Sequence, residues 1–267
     1  RIASDALRLK RFQTEPDPPG AKDLLPAIGI GDLSSDVDII PVESESRRGV
    51  TVLSHDLFTN DIAYLQLAFD VAHVPDELQP YLPLLCKLMT GLGAGALSYD
   101  ELSKRIALKT GGLGAHLASG FRIGGRETWQ KMIFHVRMLY RNIPDAVGIL
   151  SDILFRGNLT ETARIRDLVF EGRNDLQAAV VPSGHLFAKR TAAASLTLPA
   201  YREEQWNGRS QLKFIHALTE SWDETLEDFI NRIGDLKAMI VRKDGLLANL
   251  TADGQGLRLL SEAIEPV

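Results

Sequence analysis

Two hydrophobic rhythms alternate along this chain. Over residues 62–71 the period is two, with Leu65, Leu67 and Phe69 on one side and Tyr64, Gln66 and Ala68 on the other. That pattern predicts a half-buried strand. Residues 49–54 are a shorter strand candidate, separated from it by the breaker Asn60–Asp61. Residues 81–92 (YLPLLCKLMTGL) read as a buried helix, and Ser98 with Glu101 forms a capping box for a helix through Lys109. Gly111–Gly112 stop it. Strands follow over 113–121 and 129–140, joined through Gly124–Gly125. The second places Met132, Phe134, Val136 and Met138 on one face and Lys131, Ile133, His135 and Arg137 on the other.

A helical half comes next. Helices are predicted from Pro144 to about Phe155 and from Thr160 with Ile165, Leu168, Val169 and Leu176 at helical spacing. Pro182–Ser183–Gly184 interrupts this second helix, and an alanine-rich helix runs to Leu196. Further helices are expected over 202–219 and 223–233. Strands are expected over 236–242 and 246–250 around Asp244–Gly245, with a last helix over 254–263. Neighbouring strands with short turns and segregated helices predict an α+β fold with a mainly antiparallel sheet.

Residues 12–46 follow neither rhythm. Pro16, Pro18, Pro19 and Pro26 deny this stretch a helix. Leu24, Leu25, Ile28, Ile30, Leu33, Val37, Ile39 and Ile40 give it apolar anchors that a flexible linker lacks. It reads as an extended strap lying on a folded surface. Before it, RIASDALRLKR reads as the last turns of a charged helix, so the expectation is a piece of a larger protein.

The apolar fraction of 45% and charged fraction of 24% are ordinary for a globular chain. No apolar run reaches bilayer-spanning length, so no membrane partner is expected. The net charge of −5 argues against nucleic acid as the main partner. One cysteine, Cys86, excludes an intrachain disulfide and a cysteine-based zinc site. The compartment stays open.

Chemistry-bearing motifs are few. The glycines of Gly91-Leu92-Gly93-Ala94-Gly95 follow a helix, whereas a dinucleotide fingerprint follows a strand, so helix stop and turn is the better reading. None of His55, His73, His116, His135, His185 and His216 has a second histidine three or four residues away. The helical two-histidine zinc motif is therefore absent. Ser183-Gly184-His185 sits at a helix interruption and lacks a nucleophile elbow, so it reads as a kink, and Glu171 reads as a solvated helix position.

Several segments in order carry a family resemblance. EPDPPGAKDLLPAIGIGDLSSDV resembles the linker of the presequence-protease branch of the pitrilysin/insulinase metallopeptidases. The stretch from Asn60 to Gly112 resembles the start of the third domain of that branch. VVPSGHLFAKRTAAASLT, EEQWNGRSQLKFIHAL and KDGLLANLTAD resemble later parts of it. The resemblance implies a sheet with helices packed on one face, the other face looking into a peptide chamber closed by two hinged halves. It also implies that residues 1–46 are the end of the connector plus strap, and 47–267 the third domain. The first, second and fourth domains would be partners on the same polypeptide, with peptides as substrates.

In that family zinc sits on an inverted His-x-x-Glu-His helix of the first domain. Aligned on Gly91, the matching positions here are Leu82, Leu85 and Cys86, and no His or Glu occurs from Gln79 to Ala96. No catalytic or metal-binding residue is therefore expected in this chain, and zinc is expected in the first domain. The expected chamber lining is Gln66, His116, Lys131, His135 and Arg137. The leading expectation is a non-catalytic domain of a zinc metalloendopeptidase. The alternative is a structural or assembly module without proteolytic activity. A self-standing binding domain is disfavoured.

Overall fold

The computed structural model describes residues 2–36 and 39–265. The chain divides into two units, Arg1–Ile40 and Pro41–Val267.

In the first unit, helix α1 (Ile2–Thr14) buries none of its residues. The Thr14 hydroxyl donates to the Lys10 carbonyl, and Pro16 prevents continuation. Two short 3-10 turns follow, Ala21–Leu24 and Ile30–Asp32. Leu24, Leu25, Ile28, Ile30, Leu33, Ile39 and Ile40 are all exposed. Val37 lies outside the described residues.

The second unit is built on a six-stranded sheet in the order β1-β2-β6-β3-β5-β4. The strands are β1 (Glu43–Arg47), β2 (Val50–Asp56), β3 (Ile62–Asp70), β4 (Gly112–Phe121), β5 (Thr128–Leu139) and β6 (Leu247–Ala252). All neighbours run antiparallel except β2 and β6, which are parallel. The helices are α2 (Leu82–Gly91), α3 (Tyr99–Lys109), α4 (Ile143–Arg156), α5 (Thr162–Ala179), α6 (Gly184–Ala193), α7 (Leu198–Asn207), α8 (Arg209–Glu220), α9 (Trp222–Ile240) and α10 (Gly254–Ile264). This is the expected α+β architecture.

Alternation decides the layers. Ala63, Leu65, Leu67 and Phe69 of β3 and Met132, Phe134, Val136 and Met138 of β5 are buried beneath the helices. Tyr64 and Gln66, and His135 and Arg137, are exposed on the opposite face. Phe69 and Phe134 meet edge to face at 5.9 Å, a favourable aromatic arrangement. The capping box forms as read: Ser98 N donates to Glu101 Oε2 (2.9 Å) and Glu101 N to Ser98 Oγ (3.4 Å).

Three local expectations are corrected. Residues 236–242 are not a strand, because α9 runs through to Ile240. Phe229, Ile233, Leu236 and Ile240 are spaced four, three and four residues apart and are all buried. The short apolar run fitted both periods, and tertiary burial selected the helical one. Residues 202–219 are two helices, broken at Gly208. A Cβ there would lie 2.5 Å from the Glu204 carbonyl oxygen, and Ser210 N donates to the Glu204 carboxylate (3.0 Å), capping α8. Residues 43–46, read as the end of the strap, pair with β2. The two-residue loop Arg48–Gly49 has φ of 49° and 86°, the left-handed pair that a tight hairpin demands. Arginine at its first position hid that signal, and every residue of β1 is exposed, which hid the alternation.

Candidate functional site

The outward face of the sheet takes its shape from β4. Its outward positions include Gly112, Gly114 and Gly120, which leave room for the long side chains of β5. A Cβ on Gly114 would lie 2.9 Å from His135 Cε1, and one on Gly120 2.7 Å from Trp129 Cζ2. Both rings therefore lie down across β4. Arg137 does the same at Gly111, where its Nε donates to the carbonyl oxygen (2.5 Å).

The five expected lining residues all belong to this face, but they do not form one cluster. Gln66 and His135 are cross-strand partners. The His116 and His135 rings lie 5.4 Å apart between centroids. His116 is exposed, but partial desolvation, and then the neighbouring His135, push its imidazole below its ordinary 6.5. Arg137 adjoins this group but is held by Gly111. Lys131 stands apart, with Ile133 between it and His135 along the strand. Its ammonium donates to the Gly245 carbonyl (2.9 Å) and lies 3.5 Å from Asp70, which leads it toward the end of the sheet.

The strand β6 adds residues that sequence reasoning missed. It lies between β2 and β3, so Asn249 stands beside Gln66 and His55. Asn249 Nδ2 donates to Gln66 Oε1 (3.1 Å), and Asn249 Oδ1 is 2.9 Å from His55 Nε2. His55 Nδ1–H donates to the Pro41 carbonyl (2.8 Å). Both ring nitrogens face acceptors. A strand over 246–250 was legible, but its neighbours were not. Pairing β6 with a strand nearly two hundred residues earlier leaves no local signature.

The face offers donors, acceptors and one anchored guanidinium to an extended polar chain. Among the described residues, no three His, Cys, Asp or Glu side chains are grouped to hold a metal ion. The α2 positions matched to the zinc motif do not fit zinc. Leu82 and Leu85 have no exposed surface, and burial pushes the Cys86 thiol up to about 12, so it is no thiolate donor. They pack the core instead. The nearby glycines serve contact: a Cβ on Gly91 would lie 2.9 Å from Leu168, and one on Gly93 2.5 Å from the Leu97 carbonyl oxygen.

Residues 1–218 match the family described as Peptidase M-16C associated. The chain belongs to that family. Among the relatives of this peptidase-associated chain is presequence protease 1, chloroplastic/mitochondrial, of Arabidopsis thaliana, 30% identical over 98% of this chain and 24% of its own length. The mitochondrial presequence protease of Danio rerio is 29% identical over 90% of the chain and 24% of its own length. These relatives place the peptidase-associated chain in the presequence-protease branch. It spans about a quarter of their length. A protease from Helicobacter pylori shares the fold with a TM-score of 0.58 at 14% identity, covering 86% of this chain and 51% of that one.

Proposed function

We propose that this chain is the non-catalytic third domain, with the end of the preceding connector, of a zinc metalloendopeptidase that degrades peptides in a closed chamber. The observation that carries the reading is the α2 helix. Where the family's first domain holds its metal ligands and base, α2 holds Leu82, Leu85 and Cys86, all buried. An apolar helix packs the core and neither binds zinc nor activates water. The outward sheet face gives the domain its task. Gln66, His116, His135 and Arg137 line the chamber beside Asn249 and hold the peptide by hydrogen bonds and charge. Lys131 closes one end of that surface. The first, second and fourth domains are its partners on the same polypeptide, and zinc belongs to the first.

The test uses the full-length protein. Replacing His135 and Arg137 together by alanine raises KM for peptides while zinc content stays at the wild-type level. Unchanged kinetics would reject the lining role. The 267-residue chain alone neither hydrolyses peptides nor keeps stoichiometric zinc after dialysis. Chelator-sensitive peptidase activity in that sample would overturn the non-catalytic reading. A full reading frame without an intact His-x-x-Glu-His would favour an assembly module instead.

A further inference from the structure

Beneath the sheet, on the face opposite the proposed lining, the helix layer leaves a cavity of about 620 Å³. Protein interiors close-pack and keep few voids larger than a water molecule. This volume instead falls in the range of small-molecule sites. Its accessible apolar lining includes Val50, Val241, Leu246, Phe155 and Ile264, set over the closely packed Leu65 of the sheet. Such a lining gives water too few partners and suits an apolar guest. It is hostile to a peptide backbone, whose amides would be stranded there.

The mouth has the opposite character. Arg47, Arg48, Arg242 and Lys243 also border the cavity, and all four are exposed, with Glu265 the one acidic residue on the border among the described residues. The Arg48–Glu265 pair (3.0 Å) is largely solvated on both sides, and Arg47 pairs with the similarly solvated Glu45 (2.6 Å). Solvated pairs of this kind contribute little and yield readily to a better-placed anion. Lys243 has no carboxylate within ion-pair distance among the described residues.

We infer that this cavity binds a fatty carboxylate, its alkyl chain on the apolar lining and its head group between Arg47, Arg48 and Lys243. Guanidinium groups suit this task, since they engage a carboxylate through paired N–H donors. The site does not depend on the chamber reading, because it uses the other face of the sheet.

Calorimetric titration of the 267-residue chain with octanoate, decanoate and dodecanoate, each below its micelle concentration, tests this. Affinity rises by about fourfold per methylene, from roughly 0.8 kcal/mol per buried CH₂. Dodecyltrimethylammonium binds at least about tenfold more weakly than dodecanoate, as expected for losing one charge-assisted contact. The surface variant R47E/K243E leaves the fold intact. It weakens dodecanoate by a similar factor and keeps the chain-length slope. A flat chain-length series, equal binding of the cationic amphiphile, or wild-type affinity in R47E/K243E would each overturn the proposal.

Discussion

The two faces of one sheet obey different rules. On the inner face, Leu65, Phe69, Met132 and Phe134 are sealed under helices, and their identity is set by packing. On the outer face, His135, Arg137 and Trp129 lie across glycines of or beside β4, and their identity is set by what they present. Both faces come from the same strands, one residue out of phase. Stability therefore concentrates on one side of the backbone, and freedom to carry chemistry on the other.

The largest effect should come from forcing outer-face chemistry into the interior. Leu85→Glu buries an unpaired carboxylate with no donor placed for it, which costs more than about 4 kcal/mol. The cooperative urea transition should be lost. Retained wild-type stability would mean that α2 can host polar groups, against the non-catalytic reading. Phe134→Ala comes next, at about 3–5 kcal/mol, because it deletes a fully buried ring and its contact with Phe69. The same denaturation curve measures it.

Gly114→Val probes the boundary between the faces. Its side chain would displace the His135 ring, and the cost should be about 1–3 kcal/mol, the range for overpacking. A change in the His135 imidazole resonances should accompany it. The paired His135→Ala and Arg137→Ala change should alter stability by no more than about 0.5 kcal/mol, since both side chains are exposed. A larger loss would make these residues structural and blur the distinction between the faces.

The smallest effect concerns His116. Its folded-state value is lowered by partial desolvation and by His135, so the unfolded chain binds the proton more readily. Stability therefore falls as pH drops through and below 6.5 toward the depressed folded value. His116→Asn should flatten that part of the pH profile. An NMR titration midpoint for His116 at or above 6.5 would contradict the stated environment.

Much of the fold was legible because its causes are local. The Ser98–Glu101 box, the alternation of β3 and β5 and the breaker Asn60–Asp61, with φ of 52° and 62°, each act within a few residues. The errors arose where local information was degenerate. The end of α9 read as a strand because a short apolar run fits both periods. The hairpin of β1 was missed because Arg48 occupies a position where Asn or Asp announces the turn. Of the site, the strand residues were legible as a polar face. Their grouping was not: Lys131 is drawn toward Gly245, while Asn249 and His55 join Gln66.

The sequence alone determined which residues are strand or helix over most of the chain, which side of β3 and β5 is apolar, and that α2 lacks metal ligands. Only the tertiary structure decided that β6 enters between β2 and β3, and that the apolar side encloses a cavity with a cationic mouth. The reason is physical. Side-chain period and capping are set by neighbours in the chain. Strand order and cavity shape come from contacts between distant segments, whose register is chosen by the burial they jointly achieve.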